Sequence, residues 1–485
     1  MYSQLSADDM KKAGDYTLSP IVIISKSTSD GSSTAKKIDI TSLVMELQLY
    51  EDLNEKVMSG QLVITDSTGL PNNFPLTGNE LLQFKFGTPG CTRHYDFEKH
   101  PMVIYKIGER QVYNPRSQVY ILYFCSQEAF TNQTSKVRRS LTGDVSKMIG
   151  EVCNGELNIQ KDVFIEPTRG QRKYVIPRWN PFHTLDFLCR NAQSKRFKNT
   201  GYKFFETADG FKCQSYESML AVAPDMARPS MAKFINQVAN TRDAKGDRDI
   251  LKEMQTISKY KIIENFNTMK LLATGALASR VNKTDLFNKR FENIDFKYSD
   301  NYKELHHTEH DGSGAREETK MAAPVYPFRD GRQLDDMAEG TFLMSSNTKK
   351  LHNDFDTVPS EDKLLVRNSQ EVMFDSFKMR LNLPGFTGLS VGDICSVEIP
   401  LYEQVNKGDL DMDPYLSGRY LVSKITHKIN PRETYNSMIV EVIKDSVKRP
   451  YYATDIEVEP VLHKGEKGKV YDNYSIDDGI FSLLS

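Results

Sequence analysis

The chain lacks the short motifs on which most enzyme sites are built. It has no P-loop, no G-x-G-x-x-G, no G-x-S-x-G and no H-E-x-x-H, so the commonest nucleotide, acyl-transfer and zinc-peptidase chemistries have no local signature. The six cysteines (Cys91, Cys125, Cys153, Cys189, Cys213, Cys395) are scattered with no C-x-x-C spacing, which argues against zinc ribbons and disulfide frameworks and for small buried hydrophobes. Lys and Arg number 63 against 65 Asp and Glu, so no global basic field points to nucleic acid. No apolar run approaches the ~20 residues of a membrane span, and Met1-Tyr2-Ser3-Gln4 does not begin a signal peptide. Synthesis in a cytoplasm and no stable membrane insertion are expected.

What the chain does have is alternation. Phe377, Met379, Leu381 and Leu383 alternate with polar residues until Pro384-Gly385 turns the chain. Val391-Gly392-Asp393 reads as a second turn, with Gly392 needing positive φ, and it feeds Cys395, Val397 and Ile399. Strands over 419–429 and 437–443 complete four strands in about seventy residues, the pattern of a small antiparallel barrel or sandwich. An earlier stretch is a fainter copy. Leu43, Met45, Leu47 and Leu49 alternate, and Thr77-Gly78-Asn79 leads into Leu82, Phe84 and Phe86 as Gly392-Asp393 leads into its strand. This first unit ends at 119–124, a strand apolar on both faces that is therefore central in its sheet or covered by another chain; Tyr120, Leu122 and Phe124 are the candidate interface.

In order, the divisions are a flexible arm (1–16), a first β-barrel (17–130), an α+β unit (131–216), a connecting α+β segment (217–300), a polar insertion (301–364), a second β-barrel (365–446) and an extended tail (447–485). The fold class is thus α+β but β-rich. In the α+β unit, Val145, Met148, Ile149 and Val152 have helical spacing, with Thr142 as cap. Asn180-Pro181 opens a second helix whose stripe is Phe182, Leu185, Leu188, Cys189 and Ala192, and Trp179 before it reads as a staple. A hairpin turns at Asp209-Gly210. Residues 257–266 read as strand or helix start, and 267–278 as helix. The tail ends in Ile480, Phe481, Leu483 and Leu484, an apolar terminus on a polar leash suited to docking a partner.

The one dense cluster of metal-ligand residue types is His306-His307-Thr308-Glu309-His310-Asp311. It opens the polar, glycine-bearing insertion, where little would preorganise a site, so it reads as solvated loop. No catalytic residue, cofactor or metal is assigned. The basic clusters Lys136-Arg138-Arg139, Arg190-Lys195-Arg196-Lys198 and Lys444-Lys448-Arg449 read as solvated surface, or as a lining that meets nucleic acid without reading it.

The first-unit segment 41–86, the α+β unit with Arg178-Trp179-Asn180-Pro181-Phe182, and the closing 389–443 unit resemble the central hub proteins of contractile phage tail baseplates. The type is that of the T-even tail hub, related to the hub part of type VI secretion spike proteins. Asn267-Thr268-Met269 and Gly275-Ala276-Leu277-Ala278-Ser279-Arg280 resemble baseplate proteins of the same phages. The resemblance implies two tube domains per chain and a homotrimer adapting a threefold spike to a sixfold tube. It also implies a non-catalytic role and a place in the virion's tail baseplate, assembled in the host cytoplasm. Implied partners are the central spike, the tail tube or its initiator, baseplate wedge proteins, the tape measure protein and DNA in transit. The 303–363 insertion and long tail depart from the family pattern. Competing readings are a hub-fused peptidoglycan hydrolase or metallopeptidase and a secretion-system spike.

Overall fold

The structure, a computed structural model, describes residues 10–447 apart from 26–35, 75, 115, 198, 222–231, 237–248, 286–288, 310–319, 322–334, 336–339, 346–360, 402–411 and 434. Ten strands carry the architecture: β1 (Val44–Asp52), β2 (Ser59–Asp66), β3 (Leu81–Gln83), β4 (Met102–Asn114), β5 (Ser117–Cys125), β6 (Lys259–Asn265), β7 (Phe377–Pro384), β8 (Ile394–Glu398), β9 (Gly418–Ile429) and β10 (Asn436–Lys444). Alternation predicts most of them. In β7, Phe377, Met379, Leu381 and Leu383 are buried while Lys378, Arg380 and Asn382 are not.

All ten belong to one large sheet, in the order β6-β7-β10-β9-β1-β2-β5-β4-β3 with β8 on the far half of β9; Val22–Ser25 and Lys36–Asp39 extend it past β3. It does not close among the described residues, so the expected pair of closed barrels is replaced by one open, mixed-pairing sheet with two cores. One core gathers Leu47, Leu62, Phe84, Tyr120, Leu122 and Phe124, the other Phe377, Met379, Leu381, Val397, Val422 and Val440. The phase expected for the first strand fails at its start. A bulge between Val44 and Glu46 turns Val44 inward and leaves Met45 exposed.

The α+β unit packs α1 (Val145–Gly155) and α2 (Pro181–Asn191) around the hairpin Tyr202–Thr207/Gly210–Ser215. Asp144, not Thr142, precedes α1; Asn180 and Pro181 open α2 as the sequence indicates. Trp179 lies edge-on to His183 and Phe187, a staple on the helix it precedes. A third sheet pairs Ala278–Asp285 with Arg290–Lys297 and, in parallel, with Gly340–Ser345, beside α3 (Glu361–Phe374). The expected helix over 267–278 is only Thr268–Ala273, because Gly275 turns the chain at φ +67° into the strand from Ala278. Nor is the N-terminal segment a free arm from Met10 onward. Met10 is buried, Gly14 O accepts from Asn436 N, and Tyr16 Oη donates to Asn430 O and Glu433 O.

Candidate functional site

The five strands β1-β2-β5-β4-β3 and the five strands β6-β7-β10-β9-β8 are neighbours in the same order, and each set runs through the chain in the same sequence. One of their irregularities coincides too. The β5–β4 ladder steps from Tyr123↔Lys106 to Phe124↔Ile104, skipping Tyr105. The β10–β9 ladder steps from Glu441↔Lys424 to Val442↔Val422, skipping Ser423. A bulge at one equivalent place in two separate ladders is a specific feature of strand geometry, and it aligns Lys106 with Lys424 and Ile107 with Ile425.

The turns entering β3 and β8 are built alike. Glu80 accepts at its carboxylate from Thr77 N (2.7 Å), Thr77 Oγ1 (2.8 Å) and Gly78 N (3.0 Å), and its carbonyl accepts from Ile104 N (2.9 Å). Asp393 accepts at its carboxylate from Ser390 N (3.0 Å), and its carbonyl accepts from Val422 N (2.9 Å). Burial works against the Glu80 carboxylate, but these donors hold its pKa below the usual glutamate range. Gly78 and Gly392 both have positive φ, +89° and +85°. The sequence match is nevertheless one residue out of register: the counterpart of Asp393 is Glu80, not Asn79.

Within the chain the two units are joined by a seam. Lys424 to Ile429 on the outer half of β9 pair antiparallel with Asp52 to Leu47 of β1, and Lys424 Nζ lies 3.3 Å from Asp52. Behind the seam is a sealed polar junction. Glu51 accepts from Tyr95 Oη (2.9 Å), Ala208 N (3.0 Å), Ser390 Oγ (3.0 Å) and Val391 N (3.2 Å). Burial still raises the Glu51 pKa despite those donors. His427 Nε2 lies 3.0 Å from Tyr95 Oη; burial pushes the ring's pKa down to about 3, so it is neutral. Since Tyr95 donates to Glu51, His427 donates from Nε2. Arg93 joins the α+β hairpin to both units, bonding Asp209 through Nε and Nη2 and Asp393 and Gly388 O through Nη1.

Ser390, Glu51, Tyr95 and His427 are the residue types of a hydrolase, but none is more than 1% exposed. The buried Ser390 hydroxyl serves here as a donor to Glu51. The histidine cluster is likewise corrected: His307, Thr308 and Glu309 are buried, not solvated. His307 bonds Asp445 through Nδ1 (2.7 Å) and Tyr302 O through Nε2 (2.8 Å), with its ring stacked on Tyr302. Burial would lower the His307 pKa, but the Asp445 charge and the two bonds raise it, and Asp445 is lowered in turn. Glu309 accepts from Arg419 N, and His306 Nδ1 meets the buried Glu217. Among the described residues no group of three or more His, Cys, Asp and Glu is placed to hold a metal; His310 and Asp311 lie outside them. Lys444, read as surface, is buried between the Phe377 and Tyr420 rings, which brings its pKa down to about 8.

Tyr120, Leu122 and Phe124 have no exposed surface in the single chain, because they fill the first unit's own core. The interface assigned to them is therefore corrected. Among the exposed apolar side chains, six sit on or beside β6 and β4: Ile262 and Ile263 of β6, Phe266 just after it (57% exposed), and Tyr105, Val112 and Tyr113 of β4. Among the described residues, no strand pairs with the outer edge of β6 or with the outer edge of β4 from Tyr105 onward. Ile480, Phe481, Leu483 and Leu484 lie outside the described residues.

No family model and no curated protein matches the chain. Among solved structures it is similar to a tail protein from Neisseria meningitidis (10% identity, 89% of this chain and 97% of that one, TM-score 0.49). It is also similar to the 43 kDa tail protein of prophage MuSo2 from Shewanella oneidensis (8% identity, 88% and 98%, TM-score 0.47). A chain of the lidded Francisella PdpA–VgrG complex matches at 11% identity over 92% of this chain and 55% of that one, with TM-score 0.43. Its structural neighbours thus include phage-tail proteins and a chain of a VgrG complex.

Proposed function

We propose that this chain is the central hub of a contractile phage tail baseplate, a homotrimer that adapts a threefold spike to a sixfold tail tube and encloses part of the channel through which DNA leaves. The observation that carries this reading is the duplicated five-strand unit, with its matching bulge and matching carboxylate turn. Two equivalent units per chain turn threefold symmetry into pseudo-sixfold symmetry, which is what a part between a spike and a tube requires. In such a ring the units close into barrel-like tube domains only when neighbouring copies meet. The partners on this reading are the spike on one face, the tube or its initiator on the other, and wedge proteins around the rim. The tape measure protein and DNA pass through the lumen, with no sequence-specific DNA contact.

The burial of Ser390, Glu51, Tyr95 and His427 supports a structural role for that cluster rather than a catalytic one. The test is the mass of the purified protein in solution, alone and with its spike. A trimer in either condition is expected; a monomer in both would overturn the proposal.

A further inference from the structure

We propose that β6 of one copy pairs antiparallel with the outer half of β4 of the next copy, repeating between chains the seam that β1 and β9 form within one. This rests on the trimeric reading above and names the surface that makes the trimer. The two-unit alignment makes β4 the counterpart of β9 and β6 the counterpart of β1. On β9, the inner stretch pairs with β8 and the outer stretch, from Lys424, pairs with β1. On β4, the inner stretch pairs with β3, and the outer stretch beyond the same bulge meets no described strand. The same holds for the outer edge of β6, whose counterpart β1 is covered by β9.

The ladders transfer the register. Leu49 faces Gly60 on β2, and Gly60 faces Phe124 on β5; in the second unit Ile262 faces Met379, which faces Val442. Phe124 and Val442 sit at the matching bulges, so Leu49 corresponds to Ile262. Past the Ile262/Glu264 bulge, Tyr50, Glu51 and Asp52 correspond to Glu264, Asn265 and Phe266. Lys106 of one copy therefore falls opposite Phe266 of the next, Ile107 opposite Asn265 and Gly108 opposite Glu264.

The exposed chemistry fits a second copy of this chain. An edge that no described strand covers, carrying Ile262, Ile263 and Phe266, is a template for strand addition, which proteins usually blunt or cover. Glu264 falls diagonally across from Lys106, within reach of its charge. The ion pair Lys424–Asp52 of the internal seam becomes a lysine against the aromatic ring of Phe266, a contact less sensitive to salt than an exposed ion pair. The contact is head-to-tail, so it must close into a ring or run on as a filament.

The test uses the full-length chain carrying Lys106→Cys and Phe266→Cys together, with each single variant as control. Samples are treated with a short bismaleimide, alone and with the spike, and run on denaturing gels beside native mass measurements of the unmodified chain. A covalent trimer from the double variant only, with nothing larger, is the expected result. A trimer by mass with no cross-link overturns this seam and leaves the hub reading standing. No trimer in either condition overturns both. A linked monomer, or a ladder beyond three, overturns the ring seam. As an independent check, Ile263→Lys with Phe266→Lys changes only exposed side chains. It should leave the melting temperature of the monomer unchanged and weaken trimer formation at least tenfold; undiminished trimer would overturn the proposal.

Discussion

The two five-strand units share a strand order, a bulge and a turn, yet their counterparts sit in opposite surroundings. β1 is covered on both edges, and Glu51 on it is the centre of a sealed network. Its counterpart in the second unit, Asn265 on β6, is exposed at a strand edge. Among the described residues, one fold therefore carries a completed seam at one end and an uncovered one at the other. The difference lies in the side chains that the surroundings permit: a buried carboxylate survives on β1 only because four donors converge on it.

The sharpest way to break that comparison is to remove the carboxylate. Glu51→Leu leaves the Tyr95 and Ser390 hydroxyls and the Ala208 and Val391 amides without their acceptor inside the seam. The expected cost is ~3–5 kcal/mol, the range for breaking a buried polar network from one side. Asn265→Leu, at the counterpart position, should shift stability by under ~0.5 kcal/mol. Urea midpoints of both variants decide it. Equal shifts would mean that the Glu51 junction does not hold the units together.

The turn glycines come next. Valine at either position meets a positive φ that a β-branched residue tolerates poorly, costing ~1–3 kcal/mol. At Gly392 an added Cβ also stands 3.1 Å from Phe205 Cζ and 3.4 Å from Met219 Sδ, whereas at Gly78 it meets only backbone of Tyr105, from 3.4 Å. Gly392→Val should therefore lower the urea midpoint more than Gly78→Val, with both below wild type. The reverse order would show that crowding from the α+β unit is not what distinguishes the two turns.

Both glycines, and the strands β7 to β10, were legible in the sequence because alternation and turn chemistry are local. The closing of the core over Tyr120, Leu122 and Phe124 was not. A strand apolar on both faces looks the same whether its own chain or another covers it. The buried cluster at His307 was hidden for a related reason: its partner Asp445 lies 138 residues away, and nothing near His307 announces it. The repeat was faint in sequence because its best markers, the bulges at Tyr105 and Ser423, share no residue type. The exposed edges of β6 and β4 had no signal of their own before the strand order was known.

A smaller effect separates the ends of the two units. At the end of β10 the chain runs Lys444-Asp445-Ser446, clamped by His307, while the equivalent end of β5 runs Ser126-Gln127 and meets no such histidine among the described residues. The raised His307 pKa means that its contribution is full below the ordinary histidine value and is lost as pH rises through the folded value. The lowered Asp445 pKa means that its contribution is present above the ordinary aspartate value and is lost as pH falls through the folded one. The clamp is strongest between those limits. Lys444, lowered to about 8, acts oppositely at alkaline pH, since the unfolded chain then binds more protons. The measurement is therefore the difference in melting temperature between wild type and His307→Gln from pH 6 to 9. That difference should shrink as pH rises; a constant difference would mean that His307 is held neutral.

The least effect is expected from the most visible bond of the internal seam. Lys424 and Asp52 form an ion pair with side chains 39% and 21% exposed, so solvent screens their attraction and the lysine loses freedom in making it. The seam has stronger support in its backbone ladder from Leu47 to Asp52 and in Leu47, Leu49, Ile425 and Ile429, all fully buried. Lys424→Met keeps most of the aliphatic stem and should cost about 0.5 kcal/mol or less, with the cost vanishing in molar salt. This matters for the other end of the molecule, where the counterpart of Asp52 is Phe266. If the ion pair is nearly dispensable inside the chain, its absence from the edge of β6 is no bar to strand pairing there. A loss above ~2 kcal/mol for Lys424→Met would instead mean that the internal seam depends on a charge its counterpart does not have, and the two edges could not be treated as equivalent.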